Sequence, residues 1–281
     1  MNVVALTVAT AGAGLGGALA ARLLELSDPL DRVIAAILLA CTQVLVTSLA
    51  VGAVLDHYDR RWLVVGTLLG DAALLAVFAL RPGIPLDANA RVIPASVSAV
   101  RALALWQRLL LAAALAATLW RAFLAVLLPP FAYDALSYHL TAVASWVQRG
   151  SIGTNPYAFC CERYPSDAEV LFAWPTVLLG RDTLTDAVQI VFAVLGSLAV
   201  IGIARAAGLT KAGSLTAGAL FALTPIVLAQ SNTDYNDVAI TGVFLTGLYF
   251  SARFLTARGF AFSRGAHHAE LSHALLAGIA A

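Results

Sequence analysis

The chain has 281 residues, of which 60% are hydrophobic and only 12% are charged, and its formal net charge is +1. A water-soluble domain of this size needs a polar surface, so the composition excludes that class and predicts an integral membrane protein. The small net charge argues against a nucleic-acid partner.

Seven apolar segments are long enough to cross a bilayer, which takes about 20 residues of helix. In chain order the predicted spans are residues 3–24, 30–55, 62–80, 102–128, 186–206, 212–229 and 238–256. The first lacks a basic region before it, so it is predicted to be a spanning helix rather than a cleaved signal. The chain is therefore predicted to be all-α, a polytopic transmembrane helix bundle.

Two other segments do not fit a span. The apolar run 170–180 is too short and contains Pro175, so we predict a helix that lies at the interface or dips into the membrane and returns. Residues 81–101 contain three prolines and are predicted to be a connecting loop. Arg and Lys concentrate in loops that can all be cytoplasmic, which places the loop 129–169 on the extracytoplasmic side.

The loop 129–169 is long, polar and rich in aromatic residues, which is where chemistry is expected in a membrane protein. Asp134 lies just beyond the fourth predicted span and could act as a general base, bind a metal or simply be solvated. Tyr138 and His139 follow it, although a direct pairing of Asp134 with His139 is not assured by their spacing.

After Asp134 the sequence has helical periodicity, with apolar residues at Leu136, Leu140, Val143 and Val147. This pattern predicts an amphipathic helix lying on the membrane, with Gly150 as its C-cap.

A second polar group follows at the end of the same loop and includes Glu162, Arg163 and Glu169. Arg163 could neutralise a phosphate or pair with a carboxylate nearby. Glu169 begins a helix, where the helix dipole favours a negative charge.

A third polar segment, residues 230–237, is predicted to lie on the same side of the membrane and contains Asp234 and Asp237. One of these acids could cap the following helix. Together with the first loop they indicate a shared site, in which one carboxylate from each segment, such as Asp134 and Asp237, could bind a divalent cation, Mg²⁺ or Mn²⁺.

Asp71 lies inside the third predicted span, and an acid within a span is a functional candidate. The alternative is a structural role, in which Asp71 forms a hydrogen bond with a hydroxyl on a neighbouring helix. Cys41 is predicted to be a small apolar residue of the second span. Cys160 and Cys161 are adjacent and form either a vicinal disulfide or two free thiols.

The order of these motifs resembles the N-terminal half of the membrane glycosyltransferases of the GT-C fold. The resemblance is to the bacterial branch related to protein O-mannosyltransferases and aminoarabinose transferases, and it covers residue 102 to the end. It rests on Tyr133-Asp134, Tyr138-His139-Leu140, Trp146 to Gly150, Tyr164-Pro165, Ala168-Glu169, Leu179-Gly180, Ala204-Arg205, Thr224-Pro225 and Asn236-Asp237. The family often has two adjacent acids in its first motif, whereas Ala135 follows Asp134 here.

The resemblance implies a polyprenyl-phosphate sugar as donor and a glycan, lipid or protein hydroxyl as acceptor. It implies Asp134 as the catalytic carboxylate, with Asp237 or Asp234 as the second acid and Arg163 near the phosphate. His139, Tyr138 and Glu169 would bind substrate. Transfer would be a single displacement that inverts the anomeric carbon, at the extracytoplasmic face of the cell membrane.

We accordingly divide the chain into three regions: helices and a cytoplasmic loop over 1–101, a transferase-like core over 102–256, and a loop with the start of a truncated next helix over 257–281. Two other functions fit the composition. A transporter or flippase for a lipid-linked or small polar substrate would need charged or broken helices at the membrane midplane, and a non-catalytic membrane fragment would need no site.

Overall fold

The computed structural model describes residues 2–81, 100, 102–155, 161, 165–258 and 264–281, and within these ranges the chain forms helices and no strands. The helices are α1 (Asn2–Leu23), α2 (Pro29–Leu49), α3 (Arg60–Ala79), α4 (Leu105–Leu127), α5 (Leu140–Arg149), α6 (Asp167–Leu179), α7 (Val188–Ala206), α8 (Lys211–Ala222), α9 (Pro225–Gln230), α10 (Asp237–Arg258) and α11 (Arg264–Ala280). A π-helical turn, Ala50–Val54, continues α2, and another, Ala135–His139, precedes α5.

Six of the described helices are long and apolar enough to cross a membrane. They are α1, α2 with its π-helical turn, α3, α4, α7 and α10. The prediction of an all-helical chain with several membrane-spanning helices is therefore confirmed.

The predicted span over 212–229 is not one continuous helix. It divides into α8 and α9, because Pro225 at the start of α9 has no N–H group and its ring would clash with the preceding helical turn. Thr224 has a φ of −59° and a ψ of 127°, outside the helical range. The structure thus differs from the predicted seven spans at this segment.

Helices α1, α2 and α3 pack together, and α7 packs against α8 and α10. Contacts of α2 with α7 join the two groups, and α6 packs against α1, α2 and α5. Helix α6 is buried among these neighbours: Phe172, Ala173 and Leu178 are wholly buried, and most of its remaining residues are also buried. Whether it lies at the interface or dips into the membrane and returns stays a prediction.

Several backbone contacts bring the loops at one end of the bundle together. The Ile152 N–H donates to the Gly52 carbonyl at 2.8 Å, and the Tyr58 N–H donates to the Gly150 carbonyl at 2.6 Å. The Asn2 side chain donates to the Leu179 carbonyl at 2.6 Å. We call this the loop end, and its described residues are 50–60, 128–155, 161, 165–187 and 230–237. That it faces the extracytoplasmic side stays a prediction.

At the opposite end, a buried ionic cluster ties α11 to the bundle. The Asp31 carboxylate of α2 accepts a hydrogen bond from Tyr249 and contacts Arg253 at 2.8 Å and His273 at 3.2 Å. The segment 257–281, predicted to hold a loop and the start of a next helix, contains the 17-residue helix α11. The predicted connecting loop over 81–101 lies almost wholly outside the described residues.

Candidate functional site

A π-helical turn sets the orientation of the first polar group. After α4 the backbone is extended at Leu128, and the chain then enters the π-helical turn Ala135–His139. The extra residue in this turn changes the direction in which the side chains point. His139 is therefore buried, whereas Leu136 is 54% exposed.

The predicted helix after Asp134 is present as α5, and Gly150 ends it in the left-handed region with a φ of 71°. Val143 and Trp146 of this helix and His139 just before it are buried in the protein, whereas Leu136 is exposed. An exposed Leu136 is compatible with the predicted apolar side toward the membrane, and the position of the helix on the membrane stays a prediction.

His139 and Glu169 form a buried pair between the π-helical turn and α6. The imidazole Nδ1 lies 2.5 Å from Glu169 Oε1, and the two side chains are only 3% and 9% exposed. The His139 ring also contacts Phe172 edge-on. His139 thus pairs with an acid 30 residues away rather than with Asp134, which lies five residues before it.

The negative charges of three carboxylates from separate segments act on the Tyr138 hydroxyl. Partial burial, together with the negative charges of Asp134, Asp237 and Glu169, raises the pKa of Tyr138 to about 12. The hydroxyl lies within hydrogen-bonding reach of Asp134. Four of the predicted site residues are therefore brought together at the loop end, and Tyr138 remains a hydrogen-bond donor at neutral pH.

The loop 230–237 is held to α4 by a side-chain hydrogen bond. The Arg121 guanidinium of α4 donates to the Asn232 side-chain oxygen at 3.0 Å. Arg121 was not singled out in the sequence, because it lies inside the predicted fourth span and its partner is 111 residues away. This bond helps to place Asp237 at the start of α10.

Asp234 has no exposed surface in this structure, and its assignment as a substrate ligand stays a prediction. It is fully buried and pairs with the buried carboxyl group of Asp186. The carboxyl oxygens of both residues are buried and have no hydrogen-bond partner among the described residues, so a proton on one of the two groups would relieve the repulsion between them.

Burial and the Asp186 carboxylate raise the pKa of Asp234 well above its ordinary value. The pair was not predicted, because Asp186 was assigned to the first residue of a span. The sequence feature that could have indicated the pair was an acid at the boundary of a predicted span, next to Thr185.

Asp71 is buried among α1, α2 and α3 and accepts a hydrogen bond from the Gln43 amide at 2.8 Å. Its partner is thus a side-chain amide rather than the predicted hydroxyl. Gly16 on α1 leaves room for this pair, because a Cβ there would lie 2.6 Å from the Asp71 carboxylate.

Some predictions fall on residues that the structure does not describe. Arg163, Glu162 and Cys160 lie outside the described residues, so the predicted roles of the first two stay predictions. Cys161 is disulfide-bonded, in keeping with the first of the two predicted alternatives, and Cys41 is free.

No group of three or more His, Cys, Asp or Glu side chains within the described ranges is placed to hold a metal ion. The described residues therefore do not by themselves form a metal centre around Asp134 and Asp237, and the divalent cation stays a prediction.

Comparisons of the chain with protein-family models, with curated proteins and with solved structures found no match.

Proposed function

We propose that this protein is an integral-membrane glycosyltransferase that moves a sugar from a polyprenyl-phosphate donor to an acceptor hydroxyl. The observation that supports it is the group of carboxylates around Tyr138. Asp134, Glu169 and Asp237 come from three separate segments, and all three act on one phenol hydroxyl at the loop end of a membrane-spanning bundle. Such clustering of acids is typical of sites that handle protons.

In the proposed reaction, Asp134 accepts the proton of the acceptor hydroxyl. The acceptor oxygen forms a bond to the anomeric carbon while the bond from that carbon to the phosphate oxygen breaks. The bonding electron pair leaves with the polyprenyl phosphate, so the products are the glycosylated acceptor and the lipid phosphate. A single displacement of this kind inverts the anomeric configuration.

The other residues of the group have supporting roles in this proposal. Tyr138, as a neutral phenol, donates a hydrogen bond that orients Asp134. His139 holds Glu169, which contacts substrate, and Asp237 completes the polar wall. Arg163 would offset the charge that develops on the departing phosphate. The acceptor is a glycan, a lipid or a protein.

The test is transfer by the full chain in membrane vesicles from a panel of polyprenyl-phosphate sugars to lipid, glycan and protein acceptors, with and without Mg²⁺ or Mn²⁺. Asp134→Asn should reduce transfer by a factor of about 100 or more, the size expected for loss of a general base. Asp56→Asn is the matched control, since Asp56 is an exposed acid at the same end.

Full transfer by Asp134→Asn would refute the proposed role of this residue. If the wild-type chain transfers none of the sugars, the alternatives of a transporter or a non-catalytic protein take precedence over the enzyme.

A further inference from the structure

The buried carboxyl groups of Asp186 and Asp234 have a use that the proposed transfer reaction leaves open. Asp186 is 2% exposed and Asp234 has no exposed surface. None of their four carboxyl oxygens has a hydrogen-bond partner among the described residues, and nearby Asp182 adds a further negative charge. Two buried acids in contact are costly unless a proton or a cation neutralises them.

A buried amide without a partner lies on the same side of the chain. Gln189 has no exposed surface, and neither its Oε1 nor its Nε2 has a hydrogen-bond partner among the described residues. Residues 184–190 contain backbone hydrogen bonds between residues three apart, at 3.1 to 3.3 Å. In such a 3₁₀-type turn, side chains three residues apart lie on one side, so Gln189 faces the side of Asp186. A buried, unpaired amide beside unpaired carboxyl groups indicates an ion that would satisfy them together.

The Thr185 hydroxyl adds another oxygen. Thr185 is fully buried and lies within hydrogen-bonding reach of Asp234. It donates its one proton to the Asp182 carbonyl at 2.6 Å, so it presents a lone pair elsewhere. The group therefore has two acids, one amide oxygen and one hydroxyl oxygen, from the turn 181–187, the start of α7 and the loop 230–237. Calcium ions bind to carboxylate and amide oxygens of this kind.

Size and charge limit the ion. The carboxyl oxygens are inaccessible to a water molecule, so the occupant is smaller than water. Ca²⁺ lies about 2.3–2.6 Å from its oxygen ligands, closer than the about 2.7–2.8 Å of an O–H···O hydrogen bond, so a bare ion fits where water does not. Mg²⁺ usually retains several of its waters, which this site excludes. A monovalent ion would leave one of the two negative charges without compensation.

We infer that Asp186, Asp234, Gln189 and Thr185 form a buried calcium site that joins the turn 181–187 to the loop 230–237. In the calcium-free protein one proton neutralises the pair instead. The ion would hold the loop that leads to Asp237 at the start of α10. Because no water reaches these oxygens, the ion enters while the loop 230–237 opens, and its binding and release are slow. The site is separate from Asp134 and does not depend on transfer activity.

The first experiment measures binding of radioactive Ca²⁺ to the full chain in nanodiscs, after removal of metal with a chelator. The wild type should bind Ca²⁺, and an equal concentration of Mg²⁺ should not displace it. Asp186→Asn and Asp234→Asn should each weaken binding about tenfold or more, since each removes a negative ligand. Gln189→Leu should weaken it as well. The control Asp182→Asn should bind Ca²⁺ normally, because Asp182 is an exposed acid in the same turn.

A second experiment needs no variant, so it holds even where a substituted chain does not fold. Hydrogen exchange of the wild type with Ca²⁺ and with chelator should show slower exchange at residues 181–187 and 230–237 when Ca²⁺ is bound, and little change in α5. Protection confined to α5 would overturn the inference.

Three results of the binding experiment would also overturn it. They are the absence of Ca²⁺ binding to the wild type, unchanged binding by a folded Asp234→Asn, and loss of binding by Asp134→Asn. The last result would assign the ion to the carboxylates near Tyr138. Calcium binding at Asp186 and Asp234 without any sugar transfer would refute the proposed function and leave the calcium site standing.

Discussion

The imidazole Nδ1 of His139 and the Oε1 of Glu169 lie 2.5 Å apart, in a place where both side chains are almost wholly buried. This contact joins the π-helical turn after Asp134 to the first turn of α6. It therefore sets the position of Tyr138, the neighbour of His139, relative to α6.

The coupling between His139 and Glu169 can be measured by a double-mutant cycle. We expect His139→Ala and Glu169→Ala each to destabilise the protein, with a coupling of about 1–3 kcal/mol, because each single variant leaves a buried polar partner unpaired. Thermal unfolding of the full chain in detergent would give the stabilities of the wild type, the two single variants and the double variant. His57→Ala is the control, since His57 is exposed and its ring only stacks on Trp62. Strictly additive effects of the two variants would show that the contact has no energetic role.

Removal of the Tyr138 hydroxyl should reduce activity with little effect on folding. Tyr138→Phe eliminates the donor that lies beside Asp134, so kcat/KM for transfer should fall about tenfold or more. The matched control is Tyr133→Phe, because Tyr133 is 77% exposed and should tolerate the change. Transfer from a polyprenyl-phosphate sugar is the measurement, and equal rates for the two variants would contradict a role for this hydroxyl.

The buried Asp186–Asp234 pair should make stability depend on pH. The raised pKa of Asp234 means that the folded state holds a proton that the unfolded state, with an ordinary carboxyl pKa near 3.8, releases. Stability from this group is therefore fully present below the ordinary pKa and is lost as the pH rises toward and through the raised one, by up to about 1.4 kcal/mol per pH unit.

Asp234→Asn imitates the protonated acid and should flatten this dependence while preserving stability at neutral pH. Unfolding temperatures measured between about pH 5 and pH 9 would test this expectation. This is roughly the pH range in which the titration of one buried acid dominates the pH dependence of stability. In Asp182→Asn the pH dependence should persist, because Asp182 is exposed and the buried pair remains. An identical pH profile for Asp234→Asn and the wild type would argue against a shared proton.

The packing of α1 on α2 depends on Gly17. A Cβ at this position would lie 2.4 Å from the Ala36 carbonyl oxygen and 2.6 Å from the Ala40 nitrogen, which are backbone atoms that cannot turn aside. Gly17→Ala should therefore destabilise the protein by about 1–3 kcal/mol or more.

Gly14→Ala, on the same helix, provides the comparison. A Cβ at Gly14 meets nothing within 4 Å, so this variant should be neutral or gain up to about 1 kcal/mol from helix propensity. Thermal unfolding of both variants in the same detergent would show the difference, and equal stabilities would mean that α1 can move away from α2.

Some features of this protein follow from the sequence because they depend on local properties. Hydropathy and length determine the six helices that can cross a membrane, and Gly150 ends α5 because only its backbone readily adopts a positive φ. Asp134 was found in the same way, as an acid directly after an apolar segment. Pro225 marks the break between α8 and α9, although it was overlooked as a helix boundary.

Other features were decided by the tertiary structure, since they join residues that are distant in sequence. A π-helical turn rotated His139 inward and Leu136 outward, and only packing against α6 made Glu169 the partner of His139. The pairing of Asp234 with Asp186 likewise needed the ends of α7 and α10 to meet. Residue periodicity describes one helix at a time, whereas the partner of a buried charge depends on which helices lie next to each other.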